Sequence, residues 1–223
     1  MLKNKKTYYQ LILDRSGSMC DCAHQAVSGF NEQIQQIKSL QERYPEQEFR
    51  VSLTTFNDEM TLAVDREKVK SVKELYVAGW SNRSRKKGGM EYRPDGCTAL
   101  YDAIGHSITH LRKEVDAEVA RDEATVVVVI ITDGWENASQ EYSYAAIQRL
   151  IGELEETEDW TFSYLGATPD AVEIAIDLNI KAHNAIHFDK GNFKESYDDL
   201  NANLDHYMKE KQAHRKPKNF MRK

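Results

Sequence analysis

An aspartate and two serines alternate at Asp14-Arg-Ser16-Gly-Ser18, directly behind the apolar run Tyr8–Leu13. One carboxylate with two neutral hydroxyls is a hard oxygen set. It suits a small divalent cation such as Mg²⁺, with Mn²⁺ as the alternative, and it does not suit a soft metal. Two further oxygen donors stand at comparable places later in the chain, Thr98 and Asp133. Together they predict a divalent-metal site that recognises another protein.

Such a site needs elements that carry distant residues to one rim. Apolar strand runs alternate with amphipathic helices along the chain, which predicts a three-layer α/β/α domain. Its sheet is expected to be doubly wound, Rossmann-like and mostly parallel. Tyr8–Leu13 reads as the first strand. Val27, Phe30, Ile34, Ile37 and Leu40 then mark a helix that ends near Tyr44-Pro45. Phe49–Phe56 and Met60–Val64, joined at Asn57-Asp58, read as a hairpin that supplies one antiparallel edge.

Val69–Tyr76 reads as a short helix and Gly79–Gly96 as an irregular surface loop. A helix begins near Thr98 and carries Leu100, Ile104, Ile108 and Leu111. Ala124–Thr132 is apolar without alternation, as expected of a central strand covered on both faces. The second half repeats the pattern. A helix around Ile147–Leu154 is followed by a strand at Trp160–Leu165, a helix at Asp170–Leu178 and a short strand at Ala185–Phe188. The last helix carries Phe193, Tyr197, Leu200, Leu204 and Tyr207 at three- and four-residue steps. Residues 1–212 read as a single domain. Residues 213–223, with Arg215, Lys216, Lys218, Arg222 and Lys223, read as a solvated basic tail.

In an open parallel sheet, ligands bind beyond the carboxyl ends of strands where the strand order reverses. Asp14 ends the first strand and Asp133-Gly134 follows the central one, so neighbouring strands would face both carboxylates into one crevice. Each piece alone has a purely structural reading. Ser16 or Ser18 would cap a helix, Thr98 would be an N-cap, and Asp133-Gly134 would be a turn. Their coincidence, in order and with two of the three pieces directly behind apolar strands, favours the metal site.

Asp14-x-Ser16-x-Ser18, the segment Gly96-Cys-Thr98-Ala-Leu-Tyr-Asp-Ala-Ile-Gly105, and Ile131-Thr-Asp133-Gly134 resemble the three segments of the metal-ion-dependent adhesion site in von Willebrand factor A domains. The resemblance covers about Lys6 to Gln212 and departs at no ligand position; Cys97 replaces a usually small residue. It implies direct metal contacts from Ser16, Ser18 and Thr98, with Asp14 and Asp133 acting largely through water. It also implies a partner protein whose Asp or Glu completes the shell. The likeness is greatest to short, free-standing bacterial and phage-type members. By the same resemblance, an assembly role beside an AAA+ ATPase is an alternative.

Three neighbours of the site are candidates. The basic run Arg83, Arg85, Lys86 and Lys87 leads toward Thr98 and would attract an acidic partner. Trp135 follows the Asp-Gly turn and reads either as an exposed anchor or as a ring folded on its own loop. Asp102 reads either as an outer support for the ligands or as a first-turn carboxylate facing the helix dipole.

At 223 residues, 40% hydrophobic and 30% charged, the chain has an ordinary globular composition. A net charge of −6 argues against nucleic-acid binding. No apolar stretch reaches the roughly 18 residues of a membrane span, and a cytoplasmic protein is expected. Cys20, Cys22 and Cys97 are an odd set without paired Cys-x-x-Cys spacing, so neither a disulfide framework nor a zinc site with His24 is expected. Small apolar packing is the reading kept for them. The rival function is a Mg²⁺-dependent phosphatase of the haloacid dehalogenase type, with Asp14 as nucleophile. That chemistry needs an acid two residues on, where Ser16 stands. A non-enzymatic binding module is the expectation.

Overall fold

The computed structural model describes residues 6–79, 88–190 and 193–212. The basic-run candidates Arg83, Arg85, Lys86 and Lys87, and the tail 213–223, lie outside the described residues. The main sheet is built from β1 (Lys6–Asp14), β2 (Glu48–Phe56), β3 (Met60–Lys68), β6 (Ala124–Thr132), β7 (Trp160–Gly166) and β8 (Ala185–His187). Its strand order is β3-β2-β1-β6-β7-β8. Every pairing is parallel except β2 with β3, which makes β3 the antiparallel edge.

The helices are α1 (Ala23–Arg43), α2 (Leu100–Ala120), α3 (Tyr144–Glu155), α4 (Ala171–Asp177) and α5 (Phe193–Gln212). They form a layer on each face of the sheet. On β6, Val127, Val129 and Ile131 join the core under α1 and α5. Val126, Val128 and Ile130 join the core under α2, α3 and α4. Both faces of the strand are therefore dry, which is why every position is buried and Val126–Ile131 is apolar without alternation. The stripe on α5 is core: Tyr197, Leu200, Leu204 and Tyr207 are all buried. A Cβ added at Gly29 of α1 would lie 2.0 Å from the Tyr197 ring, so a glycine lets α5 approach α1 closely.

Two expectations change. The segment read as a helix from Val69 to Tyr76 is only a 3₁₀ turn, Val69–Ser71, followed by β4 (Leu75–Val77). The segment read as a loop contains β5 (Met90–Tyr92), which pairs in parallel with β4 as a second small sheet. Val69, Val72, Leu75 and Val77 all bury into the core beneath α1. Their spacing mimics a helical stripe, but the backbone is fixed from outside: Asn31 of α1 accepts from Leu75 N at 2.8 Å and donates to Leu75 O at 3.0 Å. That long-range clamp has no local signature.

Strands β1 and β6 are neighbours, with Leu13 opposite Ile131. The chain leaves β1 toward β2 on one side and returns through β6 on the other, so their carboxyl ends flank the point where strand order reverses.

Candidate metal centre

The centre is graded from floor to mouth. Asp14, the last residue of β1, has no solvent exposure. Its Oδ1 accepts from Ser16 N at 2.6 Å and its Oδ2 accepts from Thr132 Oγ1, also at 2.6 Å. Burial pushes this carboxyl up to about 6; the Thr132 and Ser16 hydrogen bonds oppose the rise and the nearby Asp133 charge adds to it. Ser16 is buried and Ser18 is exposed, with their hydroxyls 3.1 Å apart. Ser18 Oγ then donates to Asp133 Oδ1 at 2.7 Å. Asp133 follows β6 and is itself buried.

Thr98 reaches the same gap from the loop before α2. A Cβ placed on Gly134 would lie 3.4 Å from Ser18 Oγ and 3.5 Å from Thr98 Oγ1, so both hydroxyls stand against one face of that glycine. A side chain there would fill the space between them. Gly96 shapes the loop. Its φ is +71°, and a Cβ on it would meet Asp58 Oδ1 at 1.9 Å, so only glycine fits. Gly17 N donates to Gly96 O at 3.1 Å and Asp95 N donates to Arg15 O at 2.9 Å, which stitches the loop to the segment after β1.

The capping readings fail on geometry. Ser16 precedes the 3₁₀ turn Gly17–Cys22, and its side chain accepts no capping bond. The N-cap of α2 is Ala99 and not Thr98. The loop after β6 does the capping instead. Asn137 Oδ1 accepts from Thr98 N at 2.9 Å, Glu136 Oε2 from Tyr101 N at 3.0 Å and Ser139 Oγ from Asp102 N at 3.1 Å. Asn137 N donates back to Thr98 O at 3.0 Å. The Thr98 hydroxyl is left to face the centre.

Asp102 does not touch the centre. Its carboxylate accepts from the backbone N–H groups of Gln140, Glu141 and Tyr142 at 2.7–3.0 Å. Slight burial pushes its carboxyl up, but these bonds outweigh that and hold it below the usual carboxylate range. It fixes the capping loop. Trp135 is 60% exposed at the rim, and its indole N–H lies 3.2 Å from both Asp170 carboxylate oxygens.

The sequence reading missed three residues. Thr132 braces Asp14, and Tyr92 of β5 donates to Asp14 O at 2.5 Å. Lys190, between β8 and α5, places its ammonium against Asp133 Oδ2 and donates to Ser18 O at 3.1 Å. Thr132 could have been found as the β6 residue next to Asp133; the other two have no local signal.

The donor chemistry fits a hard divalent ion. Asp14, Ser16, Ser18, Thr98 and Asp133 supply only oxygen, and the buried Asp133 Oδ2 accepts no hydrogen bond of ordinary geometry. Among the described residues, no group of three His, Cys, Asp or Glu is placed to hold a metal. Cys22 is buried, as small apolar packing requires, and burial followed by the Asp133 charge pushes its thiol up to about 12. Cys20 and Cys97 depart from the packing expectation, because both are exposed. Among the described residues, no helix is long and apolar enough to cross a membrane.

The profile of the von Willebrand factor type A domain matches residues 10–168. Proximal thread matrix protein 1 from the mussel byssus is similar in structure at 16% identity, with a TM-score of 0.54 over 89% of this chain and 46% of that one. A structure of the same protein described as having a zinc-occupied MIDAS motif gives 17% identity and 0.54, over 89% and 45%. A mutant of the PilB minor pilin from Streptococcus sanguinis gives 12% identity and 0.52, over 90% and 62%. At these identities the likeness speaks for the fold alone. The chain spans less than half the length of the mussel protein and less than two thirds of the pilin. No curated protein matches it.

Proposed function

Because the chain belongs to the von Willebrand factor type A domain family, we propose that it is a non-enzymatic, metal-dependent protein-binding module. Asp14, Ser16, Ser18, Thr98 and Asp133 would hold Mg²⁺, or Mn²⁺ by the same oxygen chemistry. The bound ion would supply an electrophilic position for an Asp or Glu carboxylate of the partner.

The observation that carries this reading is the convergence of three uncapping hydroxyls and two buried carboxylates at the switch point of the sheet. Hydroxyls add no negative charge, so a site with only two carboxylates leaves a divalent ion attractive to an incoming anion. The protein's share of the work is positional. Ser16 and Ser18 are locked by the Asp14 and Asp133 hydrogen bonds, and Thr98 is held by Asn137. Trp135, exposed at the rim, directly follows Gly134, and aromatic residues at such places anchor partners.

The test pairs metal and partner. Calorimetric titration with Mn²⁺ should register one site in the wild type and a strongly weakened one in Thr98→Ala. Capture of a partner from native extract should require Mg²⁺, be abolished by chelator and be lost in Thr98→Ala, with unchanged helical content. Absence of Mn²⁺ binding in the wild type, or capture indifferent to chelator and to Thr98→Ala, would overturn the reading.

A further inference from the structure

Lys190 stands on the stretch between β8 and α5, yet its ammonium lies inside the centre, against Asp133 Oδ2 and 3.1 Å from Ser18 O. The Asp133 side chain has no solvent exposure, whereas that of Lys190 is 35% exposed. A buried carboxylate without a counter-charge is strongly unfavourable. The Lys190 ammonium supplies that charge. A divalent ion held by the same five residues would meet Lys190 as a like charge at the same oxygen.

Resting on the metal-centre reading above, we propose that Lys190 is a tethered competitor for the metal. It holds Asp133 until an ion displaces or repels it, and so sets the affinity of the centre. It also ties loading to the segment that leads into α5. Linkage makes the coupling reciprocal: whatever pulls Lys190 away favours the ion, and the ion favours Lys190 leaving. The opposite role, in which Lys190 orients Asp133 for the metal, predicts the reverse effect of removing it.

The experiment is Mn²⁺ titration calorimetry on the full chain as wild type, Lys190→Met, Lys190→Gln and Lys190→Arg. Met and Gln should bind about five- to tenfold more tightly, the scale of a partly exposed ion pair to a buried partner. Arg, which keeps the charge, should stay near wild type. The rise in melting temperature on adding Mn²⁺ should likewise be larger for Met or Gln, which gives a second readout if one variant folds poorly without metal. Equal or weaker binding by both neutral variants, with a wild type that binds, overturns this inference and leaves the metal centre standing. No binding by any of the four proteins overturns the metal centre and the inference with it.

Discussion

Replacing Asp14 with Asn should stabilise the protein in chelator and abolish its response to metal. Burial raises the Asp14 carboxyl from 3.8 to about 6. At 1.36 kcal/mol per pH unit, the ionised form is disfavoured in the fold by about 3 kcal/mol. The sign follows from proton counting. Between pH 3.8 and about 6 the folded chain holds a proton that the unfolded chain has released, so stability falls as pH rises through that window. Above it the full penalty persists. Asn removes the charge and keeps the shape. Its Oδ1 still accepts from Ser16 N, while its Nδ2 faces Thr132 Oγ1, a hydroxyl able to accept and to turn its proton toward Gly134 O at 3.3 Å. The new bond is neutral and weaker than the charge-assisted one it replaces, which offsets part of the gain. A net stabilisation of about 1–2 kcal/mol at pH 7.5 is expected, or roughly 3–6 °C in melting temperature for a chain of this size. Thermal melts in EDTA at pH 5.0, 6.0 and 7.5 should show the advantage of Asn shrinking toward acid (about pH 4–5) as wild-type Asp14 takes its proton. Adding Mg²⁺ should raise the wild type and leave Asp14→Asn unmoved. An Asn variant less stable than wild type in EDTA at pH 7.5, or an advantage independent of pH, would refute the reasoning.

Gly29→Ala should cost about 2–3 kcal/mol, because the new methyl overlaps the buried Tyr197 ring and forces α5 off α1; a wild-type urea midpoint would contradict this. Lys211 on α5 donates to Lys6 O at 2.9 Å and Thr7 Oγ1 at 2.7 Å, and burial pushes its ammonium down to about 7, with Asp122 opposing weakly. From pH 7 to 10.5 the unfolded chain holds a proton that the folded chain has released, so stability should rise with pH across that window. Urea melts at pH 7 and 9 should therefore give the wild type about 1–2 kcal/mol more upward change than Lys211→Met. Identical pH slopes for the two proteins would exclude this account.

The sequence by itself determined the layer order and nominated the oxygen donors of the candidate centre. Ala124–Thr132 spans β6 residue for residue, since an apolar run from Val126 to Ile131 without alternation marks a strand dry on both faces. The stripe on α5, the antiparallel edge and the alternation of strand and helix were equally legible, because each rests on local periodicity. The oxygen chemistry of the candidate set Asp14, Ser16, Ser18, Thr98 and Asp133 can likewise be read from the chain, with the Asp14 and Asp133 segments directly behind strands. Only the tertiary structure decided what those residues do with their neighbours. Whether Thr98 caps a helix or faces the gap depends on Asn137, Glu136 and Ser139 arriving from another loop. Whether 69–77 coils or extends depends on Asn31. Lys190, remote in sequence and unremarkable in its context, meets Asp133 only in the closed fold, where β8 lies beyond β7 in the sheet. Hydrophobic period is a property of adjacent residues, whereas a hydrogen bond or an ion pair belongs to whichever groups the closed fold brings within 3 Å or so of each other.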